Sequence, residues 1–247
     1  MNEPTSISNI YWHFTGSPKD VDWHLITSPA QIPKNPKPDN EAFEILIKII
    51  KSKKLKASAT EKILEGIETD KFCCVTDIPL KDLIIHSKTY GNVAIGFSAK
   101  RIHRSFFNPV LYLPKYSLPL QQADATKKIS IKIRAIHDLE TFFLNCGFDK
   151  FKDGSWKIPV IANPVIPDKS WFPKYFIDHL KITDFSETVG KSFYQEREWR
   201  KIKDFHFTAE DIKAIIIPTE FLERAYDFFS NEKLSIPILT WELISKT

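Results

Sequence analysis

Seven glycines in 247 residues leave this chain few positions where the backbone can turn freely through positive φ. Sixteen prolines punctuate it instead. Each glycine therefore marks a local backbone need, and the chain reads as short strands and helices parted by proline-rich loops. Neither G-x-G-x-x-G nor G-x-x-x-x-G-K-[ST] occurs, which argues against Rossmann and P-loop nucleotide sites.

A hydrophobic content of 43% with 27% charged residues predicts a packed core rather than disorder. The length suits one large domain or two small ones. A net charge of +4 is mildly basic and does not by itself imply a nucleic-acid partner. Cys73, Cys74 and Cys146 are odd in number, two of them adjacent, with no C-x-x-C and no Cys/His zinc spacing. They read as buried free thiols in a reducing compartment. The N-terminus lacks the basic and apolar regions of a signal peptide, and no apolar run approaches the ~20 residues of a membrane span. The expectation is a soluble, cytoplasmic protein with no membrane partner.

The chain opens with a strand at Ile10–Thr15, rich in aromatic and β-branched residues. Residues from Ser28 to Asn40 hold Pro29, Pro33, Pro36 and Pro38 and read as loop. Phe43, Leu46, Ile47 and Ile50 recur at helical spacing and predict a helix over Glu41–Ser52. Leu55–Ser58 reads as a connector and Glu61–Ile67 as a further helical turn. Strands are predicted at Phe72–Thr76, Val93–Ser98 and Pro109–Leu113, with a helix over Lys81–Lys88. A long helix over Ile129–Cys146 and an irregular insertion around 148–175 follow. A strand over Lys191–Ile202, a turn at Thr208–Asp211, a strand at Ala214–Ile217, a helix over Phe221–Phe229 and a strand at Ile236–Leu239 complete the pattern. Strands and helices do not alternate strictly, and no repeat or linker divides the chain. The prediction is one α+β domain over 1–247.

The run Tyr194-Gln195-Glu196-Arg197-Glu198-Trp199-Arg200 puts two carboxylates two residues apart, on one face if the segment is a strand. Far upstream lies His13. Cleaving the bond between nicotinamide and ribose passes through an oxocarbenium-like state, which a carboxylate near the ribose hydroxyls can stabilise. A second group must hold the other ribose, and an aromatic must stack on nicotinamide. His13, Tyr90 and Glu198 supply these in order. Each also has an ordinary reading. Glu198 can be a surface carboxylate paired with Arg197, Arg200 or Lys201; His13 can be a satisfied strand histidine; Tyr90 can be a core aromatic beside a turn. The remaining histidines are scattered without metal spacing, so no metal is expected.

The string His13-Phe14-Thr15, Leu55-Lys56-Ala57-Ser58, Cys74-Val75-Thr76-Asp77-Ile78-Pro79-Leu80, His86, Tyr90-Gly91, Ile95-Gly96-Phe97, Pro109-Val110-Leu111-Tyr112 and Glu196-Arg197-Glu198-Trp199-Arg200 resembles the AbiGi type of abortive phage-resistance proteins. It is also similar to an uncharacterised bacterial family ending in Glu-Lys-Glu-Trp-Arg. Both resemble distant ADP-ribosyltransferases. The resemblance runs from residue 10 to about 245. It implies an ADP-ribosyltransferase-like fold of two small abutting β-sheets with flanking helices and NAD, as substrate, in the cleft between them. It further implies that His13 contacts an NAD ribose with Thr15 beside it, that Thr76 closes the second key strand and that Tyr90 packs near nicotinamide. Glu198 would be the catalytic glutamate, Glu196 would engage the acceptor, and Arg200 would bind a phosphate or pair with an acid.

Two basic clusters, one with Lys53 and Lys54 and one with Arg101 and Arg104 beside Phe106-Phe107, suit either solvated surface or phosphate contacts to nucleic acid. The leading expectation is transfer of ADP-ribose to a macromolecule, RNA slightly favoured over protein, in antiphage defence or as a toxin with a neutralising antitoxin protein. The alternatives are a catalytically silent partner-binding protein, an antitoxin or sensor of the same fold, and an NAD glycohydrolase.

Overall fold

The computed structural model describes residues 9–114 apart from 20, 22, 24, 25, 27, 65 and 66, together with 149–150, 156–157, 177–183 and 192–246. In chain order the elements are β1 (Ile10–Phe14), α1 (Asp39–Ser52), β2 (Lys54–Leu55), β3 (Lys62–Leu64), β4 (Ile67–Glu68), β5 (Phe72–Thr76), α2 (Leu83–Tyr90), β6 (Ala94–Ser98), α3 (Ala99–Arg104), β7 (Asn108–Pro109) and β8 (Leu111–Pro114). They continue with β9 (Asp149–Lys150), β10 (Trp156–Lys157), β11 (Leu180–Thr183), β12 (Glu198–Ile202), β13 (Phe205–His206), β14 (Ile212–Ile217), α4 (Leu222–Asn231), β15 (Ile238–Thr240) and α5 (Trp241–Ile244). This is the expected α+β class, a main mixed sheet with a few helices. No helix among the described residues is long and apolar enough to cross a membrane.

The main sheet has seven strands in the order β15-β14-β6-β1-β5-β12-β7. Its neighbours are antiparallel except β14 and β15, which α4 connects in parallel. Side chains alternate between two packed faces, as the strand period requires. Tyr11, Val75, Ile95, Phe97, Ile215 and Ile217 pack with Phe43, Leu46 and Ile50 of α1 and Phe229 of α4. On the other face Trp12, Phe14, Ala94, Ala214 and Ile216 pack with Leu83 of α2 and Ile244 of α5. Gly96 permits this: a Cβ there would lie 2.6 Å from the Ile10 side chain and 2.7 Å from the Trp12 ring.

The sheet has a seam. β1 and β6 pair through five residues and β5 and β12 through five, but β1 and β5 share one registered pair, Trp12 with Thr76. A four-strand half and a three-strand half therefore meet at a single point. The resemblance implied two small abutting sheets; here the two halves form one sheet, continuous through that pair.

Two further expectations are corrected. Glu61–Ile67 does not form a helical turn; β3 and β4 pair as an antiparallel ribbon, Lys62 opposite Glu68. The predicted strand over Lys191–Ile202 begins only at Glu198: Phe193–Glu196 is a 3-10 turn capped by Ser192, whose hydroxyl accepts from Tyr194 N–H, and Arg197 is left-handed at φ 45°. The Arg101 and Arg104 cluster, for which no element was predicted, lies on α3, whose N-cap Ser98 accepts from Arg101 N–H. The predicted helix over Ile129–Cys146 lies outside the described residues. So does most of the 148–175 insertion, within which β9 and β10 pair antiparallel.

Candidate functional site

Glu198 opens β12 opposite Thr76, and Arg200 follows two residues later on the same face, opposite Cys74. Their side chains fold onto each other. Arg200 Nε donates to Glu198 Oε1 at 2.8 Å and its terminal nitrogen to Oε2 at 3.1 Å. This is the fork-to-fork geometry that makes arginine a strong carboxylate partner. The same guanidinium reaches Leu180 O at 3.2 Å and the Glu61 carboxylate. Lys181 of β11 completes the group, 3.1 Å from Glu198, 3.3 Å from Glu196 and 3.8 Å from Glu61. All five side chains are buried, Arg200 to within 1% of its surface. Arg200 lies over the Phe72 ring at 4.3 Å and Lys181 over the Phe193 ring at 3.9 Å.

Glu196 arrives differently. It ends the 3-10 turn, and the left-handed Arg197, paired with Asp77 at 2.6 Å, redirects the chain into β12. Thr76 fixes the turn by donating its hydroxyl to the Glu196 carbonyl. The Glu196 carboxylate then accepts from the Tyr90 hydroxyl on one oxygen and from Lys181 on the other. Tyr90, at the end of α2, is positioned by Gly91, at φ 85°, where Gly16 and Gly91 approach so closely that a Cβ on either would lie 2.9 Å from the other's Cα. His86, one turn earlier on α2, stacks on Tyr90 at 4.4 Å.

Three carboxylates face two cations, so the group carries one surplus negative charge when all are ionised. Burial alone would raise the Glu198 carboxyl, but Arg200 and Lys181 outweigh it and hold the group at about 2. Glu196 goes the other way: burial raises it, and Lys181 only partly offsets this. Burial thus favours the neutral form of Glu196, opposite to the hold that Arg200 and Lys181 exert on Glu198. Burial lowers His86 to about 3, which leaves the imidazole neutral. Burial also lowers His13, whose Nδ1 hydrogen-bonds the Cys74 carbonyl at 2.9 Å across the seam. That bond makes Nδ1 the protonated nitrogen and leaves Nε2 as an acceptor.

These groups line one cavity of about 780 Å³ that extends along the seam. His13, Thr76, Tyr90, Glu196, Glu198 and Arg200 all border it, as does Lys54. The structure thus gathers residues read from opposite ends of the chain. Thr15 is not among them: its buried hydroxyl donates to Ala42 O at 2.8 Å and so ties β1 to α1. Lys53 is the left-handed cap of α1, Arg101 pairs with Asp211 at 3.3 Å, and Arg104 is exposed on α3; none of these three lines the cavity.

Glu61, Lys181 and His86 take part in the site although the sequence did not single them out for a role. His86 stands in the string that carries the family resemblance. Glu61 and Lys181 bear no local signal, because their partners are reached through the fold. No group of three or more His, Cys, Asp or Glu side chains among the described residues could hold a metal ion.

A model of the family described as "Putative abortive phage resistance protein AbiGi, antitoxin" matches residues 44–236. No curated protein and no solved structure matches the chain.

Proposed function

The chain belongs to the AbiGi family, and from that premise we propose that it is the neutralising partner of a toxin in an antiphage pair. It acts by binding the toxin protein, on an ADP-ribosyltransferase-like scaffold that does not turn over NAD. Within the molecule, the observation that carries this reading is the engagement of Glu198. A transferring glutamate must offer an oxygen to the ribose as positive charge develops on it. Both Glu198 oxygens are held by Arg200, one of them by Lys181 as well. Freeing such a carboxylate breaks a buried pair, which costs about 3–5 kcal/mol when one partner is lost. The cluster serves better as a clamp joining β11, β12, α2 and the segment before β3.

The test is to mix the purified chain with the toxin of its own system and with NAD separately. Co-elution with the toxin and no release of nicotinamide support this function. Nicotinamide release by the chain alone would sink it.

One observation favours a second reading, a working NAD-dependent transferase whose acceptor is a macromolecule, RNA among the candidates, or a glycohydrolase whose acceptor is water. His13, Thr76, Tyr90, Glu196 and Glu198 share a single cavity. On this reading Glu196, paired with only one cation and hydrogen-bonded by Tyr90, is the adaptable acid. Incubation with labelled NAD and cell lysate, comparing Glu196→Gln with Glu198→Gln, separates the readings. Label that depends on either residue supports the enzyme. Both roles belong in the cytoplasm.

A further inference from the structure

The two basic segments around Lys53 and Arg101 lie far apart in the sequence and side by side in the fold. β2 and β13 pair with Lys54 opposite His206, and the Phe207 N–H donates to Lys53 O at 3.1 Å. Arg101 donates to the His206 carbonyl at 2.7 Å and lies over the Phe205 ring at 5.7 Å. The turn between β12 and β13 adds Lys203, exposed and left-handed at φ 72°. Nearby acids neutralise part of this ridge: Asp204 pairs with Lys54 at 3.3 Å, Asp211 with Arg101 at 3.3 Å, and Glu210 lies near Lys53. Lys100, Arg104 and Lys203 are exposed and stand outside those pairs.

Phe106 supplies a second, independent observation. Its neighbour Phe107 is buried against the Phe205 ring at 5.1 Å, beside Arg101, which sets Phe106 next to the same ridge. Phe106 itself is 78% exposed and left-handed at φ 61°. The Asn108 side-chain amide donates to its carbonyl at 3.2 Å and so holds this turn. A bulky side chain in that backbone region is an outlier, and exposure to water returns none of the cost through packing. Such outliers cluster at active sites, ligand clamps and switch regions.

We propose that this ridge binds single-stranded nucleic acid, with Lys53, Lys100, Arg104 and Lys203 taking phosphates and Phe106 stacking on an unpaired base. A basic track interleaved with an exposed aromatic is how sequence-tolerant single-strand binders work. A duplex hides the base faces that Phe106 needs. An acidic protein surface would satisfy the cations through charge alone, which competition with polyglutamate distinguishes from base stacking on Phe106. The ridge meets the cavity at Lys54 but uses none of the clustered carboxylates, and its role goes beyond toxin neutralisation.

Fluorescence anisotropy with a short labelled RNA of mixed sequence, its DNA counterpart and the corresponding duplex tests this. Both single strands should bind more tightly than the duplex. Phe106→Ala should weaken binding about tenfold with an unchanged salt dependence. The double variant Lys100→Gln/Arg104→Gln should lower the log–log salt slope by about 1.4, the counterions of two single-strand phosphates. Both variants change exposed side chains, so circular-dichroism melts should match the unaltered chain. Absence of binding, a duplex bound as tightly as the single strands, or an unaffected Phe106→Ala variant would overturn the proposal. Displacement of the oligonucleotide by polyglutamate at equal charge concentration would also overturn it, in favour of an acidic protein. Toxin neutralisation by the double variant is read separately, so failure of one function does not conceal the other.

Discussion

Glu196 and Glu198 are two residues apart and chemically opposite. Burial pushes both towards their neutral forms, but Arg200 and Lys181 hold Glu198 ionised while Lys181 only partly offsets burial at Glu196. The two therefore contribute to stability with opposite pH dependence. For Glu198, depressed from 4.5 to about 2, the contribution is full above the unfolded value and is lost as pH falls through that window. For Glu196, raised above 4.5, stability is lost as pH rises from 4.5 through its folded value. Accordingly, at neutral pH Glu196→Gln should equal or exceed the unaltered chain in urea midpoint, whereas Glu198→Gln should fall well below it. Equal losses would show that the two acids share one environment. His86 adds to acid sensitivity, because an imidazole lowered from 6.5 to about 3 withdraws its contribution as pH drops across that range. Arg200→Met removes the cation between Glu198 and Glu61 and should cost about 3–5 kcal/mol in equilibrium urea unfolding. A loss under 1 kcal/mol would mean that the buried carboxylates find other partners.

At the scale of elements, the site depends on where strands and helices end. β1 and β5 diverge from a single registered pair, and α2 stops at Gly91 so that Tyr90 points back at Glu196. Gly91→Ala combines a positive φ with a Cβ 2.9 Å from the Gly16 Cα. It should destabilise the fold by about 1–3 kcal/mol, seen as a lower thermal midpoint, and should loosen Tyr90 from Glu196. An unchanged midpoint would show that β1 and α2 can separate freely. Much of this frame was legible beforehand. The apolar runs Ile10–Thr15, Phe72–Thr76 and Ala214–Ile217 declared themselves as strands, and scarce glycine marked Gly16 and Gly91 as backbone needs, though not that the two would meet. The convergence of Glu196 and Glu198 was also legible, but for the wrong reason. Strand alternation was expected to align them, whereas a 3-10 turn and a left-handed arginine do so. Glu61 and Lys181 were illegible because their ion pairs close over the tertiary fold: Arg200 meets Glu61 across 139 positions of sequence. No periodicity records such a pair.

At the scale of the whole molecule, a main sheet whose two halves share one registered pair borders a cavity, and an exposed basic ridge adjoins that cavity at Lys54. The family relationship and the clamped Glu198 both favour a chain that binds a toxin rather than consumes NAD. The most direct test is growth of cells in which this chain and the toxin of its system are induced separately and together. Arrest by the toxin alone, normal growth with this chain alone and restored growth with both is the predicted pattern. Arrest by this chain alone, relieved by Glu196→Gln or Glu198→Gln, would contradict it and make the cavity an active site.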